Sequence, residues 1–219
     1  LDTLWVTQGR ESERFVFYEA ETREKVPLSL TRDRAWTPAR RAYVLTNRGS
    51  FPVHDVVLVH REGTDGGERV YVVEIATLAA GRSQAFTLET SLAKTPVARP
   101  GGTATPMAAT LARFRAGLID PDRPAWAATK AGESECGGGR DPAIPLEVAS
   151  GYRLFAAEVD LLLGVWQSRF FEQPGTTIVY REDPATLDAM MPLSIYTDMR
   201  HVPSLSRLGL ALWEKVPLP

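Results

Sequence analysis

The sequence lacks most of the residues and motifs from which common functional sites are built. Cys136 is the only cysteine among 219 residues, which excludes an internal disulfide and a multi-cysteine zinc site. The sequence contains neither a Gly-x-Ser-x-Gly elbow nor a Gly-Lys-Ser/Thr phosphate loop. No catalytic or metal-binding class is therefore indicated by a motif, and neither a metal nor a cofactor is predicted.

Strong charge of one sign and long apolar runs are also absent. The 25 lysines and arginines nearly balance the 27 aspartates and glutamates, for a formal net charge of −2. This balance argues against a nucleic-acid binder, which normally carries a basic surplus. No apolar run approaches the ~20 residues that a membrane-spanning helix needs, so no transmembrane segment is predicted.

Two observations favour a location outside the cytoplasm. A single cysteine is fewer than most cytosolic proteins carry, and this scarcity favours export. The chain begins with Leu1 rather than methionine, which favours removal of a leader or an upstream region either by the cell or in cloning, and only removal by the cell would imply export. We therefore expect an extracytoplasmic protein, either periplasmic or secreted.

The first half of the chain has the pattern of β-structure. Runs of alternating apolar residues are separated by glycine, proline and asparagine, as in antiparallel sheets. The predicted strands are 14–19, 25–31, 41–47, 53–60, 69–76 and 84–89. A turn is predicted at "NRGSFP" (47–52) and a hairpin loop at "EGTDGGE" (62–68). Short strands at this spacing are typical of a β-sandwich.

Part of this region resembles a known family. The stretch "YVLTNRGSFPVHDVVLVH", followed by "IATLAAGRSQAFTLE", is similar to bacterial Ig-like domains of the CARDB type. The resemblance covers about residues 40–90 and rests on turn residues and apolar alternation. It implies an Ig-like β-sandwich used as an extracytoplasmic accessory or adhesion module, and it implies no catalytic residue.

The second half changes character. A Pro- and Gly-rich linker precedes a predicted helix at 105–118, and residues 120–145 have the composition of an exposed loop. Apolar residues recur at steps of three and four in 145–175, which predicts one long helix. The predicted elements that follow are a strand at 176–182, a helix at 183–192, and strands at 193–197 and 206–214.

These elements predict an α+β protein in three parts. Residues 1–95 would form an N-terminal Ig-like antiparallel β-sandwich, and residues 96–146 would form a linker, a short helix and a flexible loop. Residues 147–219 would form a smaller α+β portion, built on the long helix and packed on the sandwich.

The histidines do not predict a metal site. His54 and His60 have the same parity in one strand, so both side chains should lie on one face about 20 Å apart. We interpret them as strand-end residues at the solvent margin. Met190, Met191, Met199 and His201 could suit copper, but they lack the tight repeats of a copper sequence, and a structural role is favoured.

Glu158 is the main candidate for acid–base chemistry. It lies on the flank of the long helix among apolar residues, where partial burial would raise its pKa unless a cation pairs with it. We expect a structural ion pair with an arginine, such as Arg181 or Arg207. Asp198 and His201 are the further candidates for a catalytic cleft beside Glu158.

Trp36 is the main candidate for binding. It lies in "RDRAWTPARR" (32–41), in which Arg34 and Arg40 are close to it in sequence, and Trp126 is a second tryptophan in a predicted loop. An exposed tryptophan beside arginine suits a protein interface or a glycan-stacking platform. Alternatively, Trp36 closes one end of the sandwich with an arginine stacked on it.

Three functions follow from these observations. The leading hypothesis is a non-enzymatic bacterial protein that acts as a protein-interaction or adhesion-type accessory module. The first alternative is a hydrolase of envelope polymers with a carboxylate site near Glu158. The second is a carbohydrate-binding module that uses Trp36 or Trp126.

Overall fold

The fold was determined as a computed structural model. It describes residues 6–8, 11–13, 25–64, 67–88, 106–119, 153–192 and 207–219. The elements predicted for 14–19, 120–145 and 193–197 lie outside these segments. Among the helices that are described, none combines the length and the apolar character that a bilayer crossing needs.

Nine strands and three helices are described. The strands are Val6–Gln8 (β1), Glu11–Glu13 (β2), Leu28–Arg32 (β3), Ala42–Asn47 (β4), Val53–Thr64 (β5), Gly67–Leu78 (β6), Ser83–Thr87 (β7), Gly175–Glu182 (β8) and Leu210–Trp213 (β9). The helices are Pro106–Leu118 (α1), Ala156–Phe171 (α2) and Pro184–Met190 (α3). The predicted α+β class is confirmed.

The strands form two main antiparallel sheets. One contains three strands in the order β3-β4-β7, and the other contains four in the order β6-β5-β8-β9. β1 and β2 pair with each other. β5 hydrogen-bonds to β6 on one side and to β8 on the other. β5 and β6 precede residue 95, whereas β8 and β9 follow residue 147, and all four strands lie in one sheet. This sheet therefore combines segments that were predicted to belong to separate parts of the chain.

β5 is apolar without interruption at 56–59 because both of its faces are buried. Val56 and Leu58 pack in a core between the two sheets, whereas Val57 and Val59 pack in a core between the four-stranded sheet and the helices. Strands that are covered on both faces have continuous apolar runs. This central strand therefore links the two cores.

The sheet–sheet core contains side chains from both sheets. Its buried members include Leu28, Tyr43, Leu45, Val53, Val56, Leu58, Tyr71, Leu78, Leu88, Ile178 and Tyr180. The sheet–helix core is formed by one face of the four-stranded sheet with α1 and α2. Its buried members include Val57, Val59, Phe114, Leu118, Val159, Leu162, Phe170, Phe171 and Val179. Helical spacing in α1 and α2 places their apolar residues on this sheet.

The predicted turn after β4 is confirmed and is built around Asn47. This side chain is buried, and its Nδ2 donates to the carbonyl oxygens of Phe51 and Leu78, each at 2.9 Å. Its Oδ1 accepts from the Gly49 N–H at 2.9 Å. A Cβ on Gly49 would lie 2.9 Å from the Cβ of Pro27, so the close approach of the chain here requires glycine.

A β-bulge at the start of β5 reverses its alternation. The register with β8 shifts between His54 and Val57, and Asp55 has a φ of 48°. Val53 and Val56 both lie in the sheet–sheet core although they are three positions apart, an odd spacing that would place them on opposite faces of a regular strand. The two histidines therefore do not share a face, and the parity prediction is wrong because it assumed an unbroken strand.

Two predicted boundaries also differ from the structure. β5 and β6 remain paired as far as Thr64 and Gly67, so only two residues join them instead of the seven predicted. α2 begins at Ala156 rather than near 145, since Leu154 is held in an isolated bridge to Ile119 and its N–H donates to the Leu118 carbonyl.

Candidate functional site

The loop between β3 and β4 holds Trp36 in a compact conformation. The Asp33 carboxylate accepts from the Ala35 N–H at 2.8 Å, and the Asp33 carbonyl accepts from the Trp36 N–H at 3.0 Å. Thr37 and Arg40 exchange two backbone hydrogen bonds, and the Arg40 N–H also donates to the Thr37 hydroxyl. Aspartate and threonine favour such turns because their side chains bond nearby N–H groups.

Trp36 itself is half-buried at the margin of the sheet–sheet core. Its ring packs against the sheet–sheet core, and the Arg32 guanidinium lies 4.1 Å from the ring centroid. Its Nε1 is buried and has no hydrogen-bond partner. Because the core and Arg32 both cover the ring, it does not offer a free face on which a sugar could stack.

The exposed groups of this loop are arginines. Arg34 and Arg40 are exposed, and neither guanidinium has an ion-pair or hydrogen-bond partner within the described segments. Arg41, the next residue, is instead paired with Glu62 on β5, where Nη1 lies 2.9 Å from Oε2. The loop therefore presents two unpaired guanidinium groups at the surface, whereas the guanidinium of the neighbouring Arg41 is paired within the fold.

Arg41 belongs to a polar cluster at the edge of the sheet–sheet core. The Glu62 carboxylate accepts from the Tyr71 hydroxyl at 2.7 Å and lies 3.4 Å from His60 Nε2. The other ring nitrogen of His60, Nδ1, is 2.9 Å from the Thr176 hydroxyl. The Arg41 guanidinium also lies 4.4 Å from the centroid of the Tyr71 ring. Three strands, β5, β6 and β8, and the end of the loop between β3 and β4 meet in this network.

The electrostatics of the cluster favour an ionised glutamate and a neutral histidine. Burial opposes ionisation of Glu62, but hydrogen bonds from Tyr71 and Arg41, with the charge of Arg41, lower its pKa to about 2. Burial lowers the pKa of His60, and the hydrogen bond and charge of Glu62 only partly offset that effect. The charge of the cluster is therefore balanced by Arg41.

The Thr176–His60–Glu62 chain has the connectivity of a nucleophile, a base and an orienting acid, but not their accessibility. Thr176 is only 3% exposed. Glu62 is already engaged by Arg41 and Tyr71. A nucleophilic hydroxyl must reach a substrate carbonyl, and this hydroxyl lies inside the sheet. The arrangement stabilises the fold and does not form an active site.

Sequence reasoning missed this cluster because it depends on strand register. His60 lies opposite Tyr71, and Glu62 is two residues further along the same face of β5. A loop as long as 62–68 would have removed Glu62 from the strand. The signal was the dipeptide Asp65-Gly66, which favours a two-residue hairpin connection and so predicts the register of the two strands.

Glu158 lies in the first turn of α2. Its Oε2 accepts from the Phe155 N–H at 2.9 Å, as an acidic residue at this position often does. Burial raises the pKa of Glu158, and the bond from Phe155 opposes that shift. Its carboxylate is therefore used to stabilise the start of the helix.

The ion pair predicted for Glu158 is wrong. Arg181 Nε lies 2.7 Å from Asp55 Oδ2, and Arg207 pairs with Asp188 while also donating to the Met191 carbonyl. The bulge explains the first pair, because it turns Asp55 toward β8 and α1. A Cβ on Gly117 of α1 would lie 3.3 Å from the Asp55 carboxylate.

A second buried glutamate, Glu182, ends β8. It is 8% exposed, and Tyr180 lies two residues earlier on the same face of the strand. Burial raises the pKa of Glu182, the Tyr180 hydroxyl lowers it, and the charge of Asp183 raises it further. Asp183 caps α3 by accepting the Ala185 N–H and also lies 3.3 Å from His54 Nε2.

Several predicted site residues lie outside the described segments. These are Trp126, Asp198, His201 and Cys136. The predicted cleft around Glu158 therefore stays a prediction. Among the described residues, no group of three or more histidine, cysteine, aspartate or glutamate side chains is placed to hold a metal ion.

Comparisons with known proteins gave no match to a family model, to a curated protein or to a solved structure.

Proposed function

We propose that this protein is a non-enzymatic, extracytoplasmic bacterial module that binds another protein through the loop between β3 and β4. The observation that carries the proposal is the contrast within this loop. Trp36 and the turn around it are held rigidly, while Arg34 and Arg40 are exposed and without partners in the described segments. A rigid loop with free arginines loses little conformational entropy on binding.

The Ig-like character and the location belong to the same proposal. Two antiparallel sheets around a shared core are compatible with the CARDB-type resemblance of residues 40–90. Modules of that kind act outside the cytoplasm, and the single cysteine supports this location. Loops at the end of a sandwich are common binding surfaces because a stable scaffold positions them.

Site-specific photocrosslinking in cells that naturally produce the protein tests the proposal. A photoreactive residue replaces Ala39, which is exposed between Trp36 and Arg40. The matched control carries the same residue at Ala112, which is exposed on α1. We expect a discrete protein adduct at position 39 that is lost in Arg34→Glu/Arg40→Glu. An equal yield at both positions, or a yield that the arginine variants do not change, contradicts the proposal.

One observation favours a hydrolase as the second candidate. The pKa of Glu158 is raised by burial, as for a general acid. Its bond to the Phe155 N–H supports a structural role instead. Turnover of cell-wall polymers that Glu158→Gln abolishes without a loss of folded structure would establish this candidate and remove the first.

A further inference from the structure

Positive charge is concentrated in one layer of the molecule. The three-stranded sheet and its loops, residues 25–52 and 79–88, contain seven basic side chains and one acidic side chain, a net charge of +6. We call this region the basic layer. The whole chain has a formal net charge of −2, so the remainder is acidic. The near-neutral total conceals this separation of charge.

Most of the basic side chains in this layer are free. Lys25, Arg34, Arg40, Arg48 and Arg82 are exposed, and their side chains have no ion-pair or hydrogen-bond partner within the described part of the chain. In the rest of the fold, six arginines are paired with carboxylates: Arg61, Arg113, Arg115, Arg169, Arg181 and Arg207. The unpaired arginines of the basic layer are therefore available to a partner.

The free cations lie at the two ends of β3. At one end the Arg48 N–H donates to the Pro27 carbonyl at 2.7 Å, and the Arg82 carbonyl accepts from the Asn47 N–H. Lys25 precedes the strand at this end. At the other end, Arg34 follows the strand by two residues, and Arg40 lies across the same loop. A strand of five residues separates the two groups by about 17 Å.

β3 is also an edge strand. It pairs with β4 on one side, and no described strand lies on its other side. Thr31 and Arg32 are exposed at this edge, and Ser29 and Leu30 are half-buried. In an edge strand, alternate N–H and C=O groups point away from the sheet and can pair with an extended chain.

A second copy of the same protein does not suit this edge. Antiparallel pairing of β3 with its own copy would place Arg34 of one molecule near Lys25 and Arg48 of the other. Like charges at such short distances oppose association. The basic ends therefore select against self-pairing and in favour of an oppositely charged chain.

We infer that β3 takes an extended acidic polypeptide segment of the partner as an added strand, with the free cations at both ends binding its carboxylates. The inference rests on the proposed function and names the class of partner. Arginine binds carboxylates through two parallel hydrogen bonds, which gives direction as well as charge attraction. Only a polypeptide has the amide groups to continue the sheet.

Fluorescence anisotropy with labelled peptides tests the inference on the full chain. The probe is a peptide of alternating glutamate and threonine, about ten residues long, which can span β3 and both of its ends. A second peptide carries lysine in place of glutamate. A third keeps every glutamate but has all of its backbone nitrogens methylated, which removes the donors along both edges of the peptide without changing the charge.

We expect the glutamate peptide to bind and the other two peptides to bind at least about tenfold more weakly. Arg34→Glu/Arg48→Glu should weaken binding of the glutamate peptide by at least about tenfold, and Arg34→Gln/Arg48→Gln should weaken it less. The control is Arg153→Glu, since Arg153 lies beside the helices and has no partner within the described segments. This variant should bind as the natural protein does. Thermal unfolding confirms that each variant is folded.

Three results would overturn the inference. If the methylated peptide binds as tightly as its parent, charge alone is recognised and no strand is added. If heparin, duplex DNA or phosphatidylglycerol vesicles bind more tightly than the peptide, the partner is another polyanion. If no peptide binds while the adduct at position 39 persists, the inference fails and the proposed function stands. Loss of that adduct as well removes both.

Discussion

Two glutamates on the four-stranded sheet have the same kind of neighbour and opposite pKa shifts. Glu62 accepts a hydrogen bond from Tyr71, and the Tyr180 hydroxyl lowers the pKa of Glu182; both tyrosine rings lie in the sheet–sheet core. The pKa of Glu62 is lowered to about 2, whereas that of Glu182 is raised. Two differences explain this: Arg41 reaches only the first carboxylate, and Glu182 is more deeply buried and lies beside the charge of Asp183. A tyrosine hydroxyl alone does not offset burial.

Removal of the Arg41 guanidinium should have the largest effect on the free energy of unfolding. Arg41→Met leaves Glu62 with Tyr71 and His60 only, and we expect the free energy of unfolding to fall by about 2 kcal/mol at pH 7. This loss of stability is smaller than for a fully buried ion pair because both side chains are partly exposed to solvent. Urea unfolding measures it.

Arg40→Met is the matched control for that variant. Arg40 is adjacent in sequence, exposed and without a partner in the described segments. Its replacement should change the free energy of unfolding by less than about 0.5 kcal/mol. If both variants lose the same stability, the pair with Glu62 does not distinguish the two carboxylates.

The loss of stability at acid pH should depend on Glu62. Its pKa in the folded protein, about 2, is below the ordinary value of 4.5, so its contribution to stability is complete above pH 4.5 and is lost as pH falls toward 2. Glu62→Gln should remove about 1 kcal/mol of this dependence, after allowance for solvent screening. Urea midpoints between pH 5 and pH 2.5 measure it.

His60 affects the free energy of unfolding in a higher pH range than Glu62, so it does not obscure the measurement on Glu62→Gln. Its lowered pKa means that its contribution is complete above pH 6.5 and declines as pH falls through the lowered value. His60→Gln should flatten the upper part of the acid decline, while Glu62→Gln should flatten the lower part. An unchanged curve in Glu62→Gln would show that Arg41 does not hold this carboxylate in its ionised form.

The smallest effect is expected at the carboxylate without a cation. Because the pKa of Glu182 is raised, its contribution is complete below pH 4.5 and is lost as pH rises through the raised value. Glu182→Gln keeps the shape and carries no charge, so it should gain up to about 1 kcal/mol on the natural protein between pH 4.5 and 8. If the free energies of unfolding of Glu182→Gln and the natural protein differ by the same amount at every pH, the pKa of Glu182 is not raised and the comparison is contradicted.

The local parts of the fold were predictable from the sequence. The strand character of β4, β5 and β6, the turn at Asn47 and the helical spacing of α1 each depend on residues close in the chain. The start of α3 was also predictable, because Asp183 followed by Pro184 combines a cap with a favourable first position. These elements were confirmed within the described segments.

The candidate site was predictable only in part. Arg34 and Arg40 were identified from their position beside Trp36, and the free state of both side chains is a finding of the structure. The role of β3 as an edge strand could not be read from its residues, because it depends on which strands pair. The charge of the basic layer was present in the sequence, but the total of −2 concealed it.

The sequence by itself determined which segments become strands or helices and which residues can carry charge, since these properties arise from neighbours along the chain. The tertiary structure alone decided which charges meet. Arg41 and Glu62 are 21 positions apart, and Arg181 and Asp55 are 126 apart. Each pair depends on strand register and on the bulge at Asp55, where a shift of one residue turns a side chain to the opposite face.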